Sequence, residues 1–121
     1  VHSREMFGEP MGNMQSIQMS LADMAADIDT AALAVYRAAW TRDVRGERDS
    51  YPPSMAKLIA AEAAGRVVDK AVQIFGGMGV TRGSLIEKLY REARPMRIYE
   101  GASEVQKIIV GRSLLRGRAQ P

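Results

Sequence analysis

The sequence contains no cysteine and only one histidine, and each shortage excludes a class of site. Without cysteine there can be no disulfide, no thiol nucleophile and no cysteine-ligated zinc site. The single histidine, His2, lies at the N-terminal end, so we do not expect a Ser–His catalytic pair or a multi-histidine metal site. Carboxylates, lysines and tyrosines remain for acid–base chemistry, and we predict no bound metal.

Concentrated charge and aromatic side chains are also scarce. The net charge is only +3, acidic and basic residues alternate through most of the chain, and aromatic residues make up 6%. We therefore predict no nucleic-acid partner, since such proteins usually show a basic stripe or stacking aromatics, and we interpret Arg112, Arg116 and Arg118 as a solvated tail. No apolar run approaches the roughly 20 residues of a membrane-spanning helix, and residues 1–4 lack the apolar region of a secretory signal, so we predict neither.

Apolar residues make up 46% of the chain, enough to form the core of one domain over residues 1–121. Within residues 14–42 they recur at spacings of three and four, which predicts an amphipathic helix. A polar loop over 44–51 follows, and Pro52 and Pro53 suit the start of a second helix. That helix should run over residues 53–75 and end at the following two glycines.

Two shorter helices are predicted by capping-box patterns, in which serine is followed three residues later by Glu or Gln. Ser84 with Glu87 predicts a helix that ends at Arg94, and Ser103 with Gln106 predicts one over 104–115. Pro95 should leave the segment between these helices extended or irregular.

No part of the sequence shows the alternating pattern of a strand. Two long and two shorter helices joined by modest loops predict an all-α fold, an antiparallel four-helix bundle in which the two long helices pack antiparallel.

A glycine-rich segment, Gly76-Gly77-Met78-Gly79, invites comparison with phosphate-binding loops. It does not match the dinucleotide-binding fingerprint, because Arg82 occupies the third glycine position and a helix precedes it instead of a strand. We interpret it first as the C-terminal cap of the second helix. Consecutive glycines can also let backbone N–H groups approach a pyrophosphate closely.

Glu100 is the unusual carboxylate, because it follows Ile98 and Tyr99 and precedes Gly101. It could be a solvated acid that favours the N-terminus of the next helix. Enclosed by its apolar neighbours, it could instead act as a general base near neutral pH. The residues alone leave both interpretations open.

Four blocks of this chain closely resemble, in the same order, the C-terminal domain of acyl-CoA dehydrogenases. Together they cover nearly the whole sequence: residues 4–10 with Gln15, residues 73–79, residues 87–94 and residues 98–106.

The resemblance implies the last helical domain of a longer enzyme that has two helical domains around a β domain, so we expect this chain to be a fragment. It implies flavin-dependent α,β-dehydrogenation of an acyl-CoA thioester. Glu100 would remove the α proton while FAD accepts the β hydride. The backbone N–H of Glu100 would help to polarise the thioester carbonyl, and Tyr99 and Gly101 would line the substrate site.

The resemblance also implies partners. The segment from Gln73 to Gly77 would reach FAD across a subunit interface, so we expect a homodimer or homotetramer. The implied electron acceptor is an electron-transfer flavoprotein, and the Ala- and Arg-rich composition favours the bacterial cytoplasm over the mitochondrial matrix. The implied FAD contacts are Arg4, Phe7, Gln15, Gln73, Ile74, Phe75, Gly76, Gly77, Ala102, Ser103 and Glu104.

Three residues depart from the family pattern. Ala102 stands where the family usually has threonine, and Met78 and Val80 replace the usual asparagine and aromatic residue. Two alternatives therefore stay open: a catalytically silent helical dimerisation module, which Ala102 favours, and an acyl-CoA oxidase of the same fold. The presence of Glu100 favours an enzyme.

Overall fold

The computed structural model describes residues 1, 4–46 and 48–117. The predicted all-α fold is confirmed. His2 and Arg118, discussed above, lie outside the described residues. The described ranges contain four α-helices, α1 (Gln15–Asp43), α2 (Tyr51–Phe75), α3 (Leu85–Ala93) and α4 (Ser103–Leu115).

Helix α2 is central, because α1, α3 and α4 all pack against it. Two ion pairs define the direction of α1. Arg66 of α2 binds Asp27 of α1 at 2.6 Å, and Lys70, one turn further along α2, binds Asp23 at 2.5 Å. Moving from Arg66 to Lys70 along α2, the partner on α1 changes from Asp27 to Asp23, so the residue numbers run in opposite directions. The two long helices are therefore antiparallel, as predicted.

The core is built mainly from small side chains, and in the described residues no large side chain is fully buried. Alanines let the helices approach closely, but many large apolar side chains stay in solvent; Leu33, for example, is 69% exposed. The four helices therefore bury little of the large apolar surface by themselves. No helix in the described ranges is long and apolar enough to cross a membrane. The buried apolar residues are Met11, Ala34, Ala56, Ala61, Ala63, Ala93 and Val110.

The predicted helix ends agree with the structure to within two residues. Helix α2 begins at Tyr51, whose amide donates to the Asp49 carboxylate at 3.1 Å, and its prolines lie in the first turn, where a missing N–H costs little. Gly76, at φ +61°, ends α2 as predicted. The first capping box also forms, since the Ser84 hydroxyl accepts from the Glu87 amide at 3.3 Å.

Two segments outside the helices differ from the prediction. The sequence predicted no strand, but β1 (Glu5–Met6) and β2 (Glu9–Pro10) form a two-stranded antiparallel hairpin. The segment from Pro95 to Gly101, predicted to be extended or irregular, begins within a 3-10 turn over Arg94–Arg97 and is irregular after it. Pro95 lies at the start of that turn, where its fixed φ is compatible with helical geometry.

The prediction of a second capping box, from Ser103 with Gln106, is also wrong. Ala102, not Ser103, precedes α4, and no side chain of the described residues caps the helix. Ser103 is the first helical residue, and its hydroxyl donates to Glu62 at 2.6 Å. The side-chain amide of Gln106 donates to the carbonyl of Gly101 at 3.1 Å. Both side chains that fit the local motif are used in other contacts.

Candidate active site

Glu100 lies between the 3-10 turn and α4 in an uncommon backbone conformation. Its φ is +53°, in the left-handed region that non-glycine residues seldom adopt. Such residues often occur at functional sites, where the surrounding structure holds a conformation that costs about 1–3 kcal/mol. The Glu100 side chain is exposed, as are Ile98 and Tyr99. The apolar enclosure considered from the sequence is therefore not formed by this chain alone.

The amide N–H of Glu100 is available for a ligand. The preceding amides, of Ile98 and Tyr99, both donate to the carbonyl of Pro95, at 2.8 and 3.0 Å. Within the part of the chain that the structure describes, the Glu100 amide donates no hydrogen bond. This residue thus offers a carboxylate and a backbone donor at one position.

Gly101 continues the left-handed turn, with φ +89°. A Cβ atom at this position would collide with the side-chain amide of Gln106. The Gly101 carbonyl accepts from that amide and also from the Lys57 ammonium at 2.8 Å. The missing side chain of Gly101 thus makes room for Gln106 in this structure, whereas the resemblance implied that Gly101 lines the substrate site.

A half-buried polar network anchors the turn to α2. Glu62 accepts from the guanidinium of Arg97 at 2.9 Å and forms an ion pair with it at 2.8 Å. The hydroxyl of Ser103 is the main cause of a lowered pKa for Glu62; burial opposes this effect, and Arg97 reinforces it. The pKa is lowered because these donors stabilise the ionised carboxylate.

The same network decides which of the expected FAD contacts in this segment reach the surface. Ser103 is only 2% exposed and its hydroxyl is already bonded. Ala102 is half-buried, and Glu104 is exposed. Of this tripeptide, Ala102 and Glu104 therefore offer side-chain surface to a ligand.

A second group of expected FAD contacts forms where α2 ends. The guanidinium of Arg4 donates to the carbonyl of Phe75 at 2.8 Å. It lies directly over Gly76, where an added Cβ would be 3.4 Å from it. Gln73 and Gly77 are exposed beside this contact. A cation over a glycine turn with accessible backbone is a suitable surface for a phosphate group.

Phe7 and Gln15 are less closely tied to this group. Phe7 lies at the hairpin turn with φ +56° and is 93% exposed. Gln15 is the exposed first residue of α1, and its side chain forms no hydrogen bond within the described ranges. Both side chains are accessible, but contacts within the chain do not fix them against Arg4.

The two groups lie far apart along α2. Glu62, which anchors the Glu100 turn, and Ile74, in the Arg4 group, are 12 positions apart, or about 18 Å at the rise of an α-helix. The chain therefore presents two separate contact surfaces.

Three of the cavities among the described residues are lined by residues other than Glu100. One, of about 330 Å³, lies beside Glu62 and Arg94. Another, of about 580 Å³, lies between α1 and the start of α2, against Pro52. The third, of about 210 Å³, lies against Arg112 of α4. Nor do three His, Asp or Glu side chains converge as metal ligands in these ranges.

Sequence reasoning missed Lys57, Glu62 and Arg97, and it assigned Gln106 to the wrong contact. Lys57 and Glu62 are mid-helix charges of the kind that usually face solvent, and Arg97 follows a proline-containing turn. A sequence pattern does not show which turn of α2 lies beside the Glu100 segment. The packing of α4 and of the 3-10 turn over Arg94–Arg97 against α2 brings these side chains together.

The chain belongs to the acyl-CoA dehydrogenase family: residues 1–115 match the family described as acyl-CoA dehydrogenase, C-terminal domain. It is 43% identical to 3-(aryl)acrylate reductase of Clostridium sporogenes, covering 93% of this chain and 30% of that protein. It is 42% identical to the mitochondrial short-chain specific acyl-CoA dehydrogenase of Sus scrofa, covering 94% of this chain and 28% of that protein.

Solved structures agree with this assignment. Butyryl-CoA dehydrogenase from Megasphaera elsdenii matches with a TM-score of 0.91 at 39% identity, over 95% of this chain and 30% of that one. The FAD complex of PigA matches with a TM-score of 0.87 at 30% identity, over 97% and 30%. The chain thus spans about 30% of the length of these relatives.

Proposed function

We propose that this chain is the C-terminal helical domain of a flavoenzyme that oxidises a saturated acyl-CoA thioester to its α,β-unsaturated form. The observation that carries the proposal is Glu100, an exposed carboxylate held in a left-handed turn beside a free backbone N–H. The family assignment supports the reaction class.

Glu100 is the catalytic base in this proposal. Its carboxylate takes the proton from the carbon α to the thioester carbonyl, a double bond forms between the α and β carbons, and the β hydrogen leaves with its electron pair. Bound FAD supplies the acceptor for that hydride. The amide N–H of Glu100 donates to the thioester oxygen, where negative charge develops as the α proton leaves.

The surface at the end of α2 fits one end of such a cofactor. Arg4 would hold the diphosphate by charge and hydrogen bonding, as guanidinium groups commonly do. The left-handed Gly76 leaves the backbone open to close approach. Gln73, Gly77, Phe7 and Gln15 would border the same ligand, while Ala102 and Glu104 would border the cofactor near the reacting carbon.

A second subunit follows from the placement of these groups. Glu62, which anchors the Glu100 turn, and Ile74, in the Arg4 group, are about 18 Å apart along α2, and both surfaces are open. We propose that a partner subunit and further domains cover them and complete the substrate pocket around Tyr99 and Gly101. Large exposed side chains such as Leu33 support such contacts, because folded proteins seldom leave wide apolar patches uncovered. The assembly would be a homodimer or homotetramer that passes electrons to an electron-transfer flavoprotein.

A reductase is the second candidate, because one relative is named as a 3-(aryl)acrylate reductase. In that direction reduced flavin, when bound, would supply a hydride to one carbon of the double bond, and the other carbon would receive a proton. Glu100 would then act as a general acid, so the residue assignments stay the same.

Product analysis tests the proposed activity. The complete flavoenzyme is incubated with saturated acyl-CoA substrates and an artificial electron acceptor, and the thioester is analysed by mass spectrometry. A product two hydrogen atoms lighter supports dehydrogenation, and oxygen consumption without the acceptor identifies an oxidase. No conversion of any acyl-CoA, together with an unchanged flavin spectrum, would favour the silent dimerisation module.

A further inference from the structure

We propose that Lys57 is a positioning residue that holds Glu100 in its left-handed conformation, an inference that rests on the proposed function. The Lys57 ammonium donates to the carbonyl of Met96 at 2.7 Å and to the carbonyl of Gly101 at 2.8 Å. These two carbonyls lie on either side of Glu100 in the chain. Lys57 therefore closes the turn that carries the base.

The two bonds are well suited to this task. The Lys57 side chain leaves a long, central helix and is partly buried, so its position is fixed by α2. Hydrogen bonds from an ionised donor are stronger than those between neutral groups. Within the described residues the ammonium forms no ion pair, so carbonyl oxygens are its partners.

Most other contacts of the turn act on one side of Glu100 only. The amides of Ile98 and Tyr99 bond back to the 3-10 turn, and Arg97 binds α2, all before Glu100. Gln106 binds the carbonyl that follows Glu100. Glu62 also connects the two sides, since it accepts from the side chains of Arg97 and Ser103. Among the hydrogen bonds in the described ranges, those of Lys57 alone connect the main chain on the two sides through a single side chain. A left-handed non-glycine residue persists only where its surroundings hold it, and Lys57 supplies the link across it.

The consequence is geometric. Without Lys57, the carbonyls of Met96 and Gly101 can move apart and Glu100 can relax toward ordinary backbone angles. The carboxylate and the amide N–H would then no longer meet one substrate in the required orientation. Misplacement of a catalytic group by about 1 Å can slow a reaction by about 10²-fold.

A double-mutant cycle in the flavin-loaded, complete enzyme tests the proposal. Lys57→Met keeps the length of the side chain and removes its donors. The rate of flavin reduction by a saturated acyl-CoA is measured by stopped flow in the wild type, Lys57→Met, Glu100→Gln and the double variant. We expect Lys57→Met to slow reduction at least about tenfold with FAD content unchanged. In the Glu100→Gln background the same change should alter the rate by less than about twofold, because it acts through the carboxylate that is already absent.

Lys70→Met is the matched control. Lys70 lies on the same helix, but its ammonium binds Asp23 of α1, not the turn, so this variant should reduce its flavin at the wild-type rate. If the Lys57→Met variant does not bind FAD, Lys57→Arg replaces it in the same double-mutant cycle. Its planar guanidinium keeps the charge but cannot place one nitrogen between both carbonyls as an ammonium does.

Two results would overturn the positioning role: a wild-type rate in Lys57→Met, or the same slowing in both backgrounds, which indicates a general structural effect. Failure of the proposed function gives a different result. In that case Glu100→Gln itself reduces its flavin at the wild-type rate, whatever Lys57 does.

Discussion

Replacing Gly101 by alanine tests the geometry of the turn without any cofactor. The residue has φ +89°, and left-handed backbone costs an L-residue about 1–2 kcal/mol relative to glycine. The added Cβ also meets the amide of Gln106, which is 7% exposed, so its hydrogen bond to the Gly101 carbonyl must lengthen or break. Losing that bond costs about 1 kcal/mol, so we expect Gly101→Ala to lower the free energy of unfolding by about 2–3 kcal/mol.

Alanine substitutions at two other glycines separate the cost of the left-handed backbone from the loss of the Gln106 hydrogen bond. Gly83 has φ +92° but open space around it, so Gly83→Ala should cost only the backbone part, about 1–2 kcal/mol. Gly111 lies inside α4, and an added Cβ would meet no other atom within 4 Å, so Gly111→Ala should stabilise the domain by about 0.5–1 kcal/mol. Urea unfolding of the chain followed by circular dichroism measures all three. If Gly101→Ala lowers the free energy of unfolding no more than Gly83→Ala does, Gln106 does not occupy the space beside Gly101.

Three further predictions concern the chain by itself. It should bind little FAD and show no turnover, because its two contact surfaces are separate and open; a stoichiometric yellow complex would contradict this. Ser113→Ala should be neutral or stabilise the chain by up to about 1 kcal/mol, because the Ser113 hydroxyl is buried without a hydrogen-bond partner in the described residues. A clearly lower free energy of unfolding in urea would show that this hydroxyl does form a hydrogen bond. Folding lowers the pKa of Glu62 from 4.5, so the ionised carboxylate adds to the free energy of unfolding above pH 4.5, and this contribution is lost as the pH falls through the lower pKa of the folded state. Glu62→Gln should therefore make the free energy of unfolding less dependent on pH below 4.5. An unchanged pH dependence in that range would refute this prediction.

Helix positions were predictable because they depend on local pattern. The three- and four-residue spacing of apolar side chains predicts both long helices, and the glycines at the end of α2 stop it where expected. The hairpin at Glu5–Pro10 was missed because two-residue strands are too short to show alternation. Pro95 predicts a break after α3, but proline is equally compatible with a first helical turn.

The candidate site was only partly predictable, because much of it depends on packing. Glu100 could be singled out from its neighbours, but its left-handed backbone could not. Ser103 and Gln106 matched a capping box, yet each found a different partner once α4 lay against α2. Lys57 lies 43 positions before Glu100, and no local pattern connects two residues so distant in sequence.

Flavin reduction in Glu100→Gln tests the central claim most directly. The substitution keeps the size of the side chain, and the Glu100 carboxylate forms no hydrogen bond or ion pair in the described residues, so the folded chain should be undisturbed. Glu92→Gln is the control, because it removes an exposed carboxylate on α3 whose one ion pair within residues 4–46 and 48–117 is with Lys88, at 3.8 Å. We expect stopped-flow reduction by a saturated acyl-CoA to slow at least about 10²-fold in Glu100→Gln and to keep the wild-type rate in Glu92→Gln. Reduction of Glu100→Gln at the wild-type rate, with normal FAD content, would show that the base lies elsewhere.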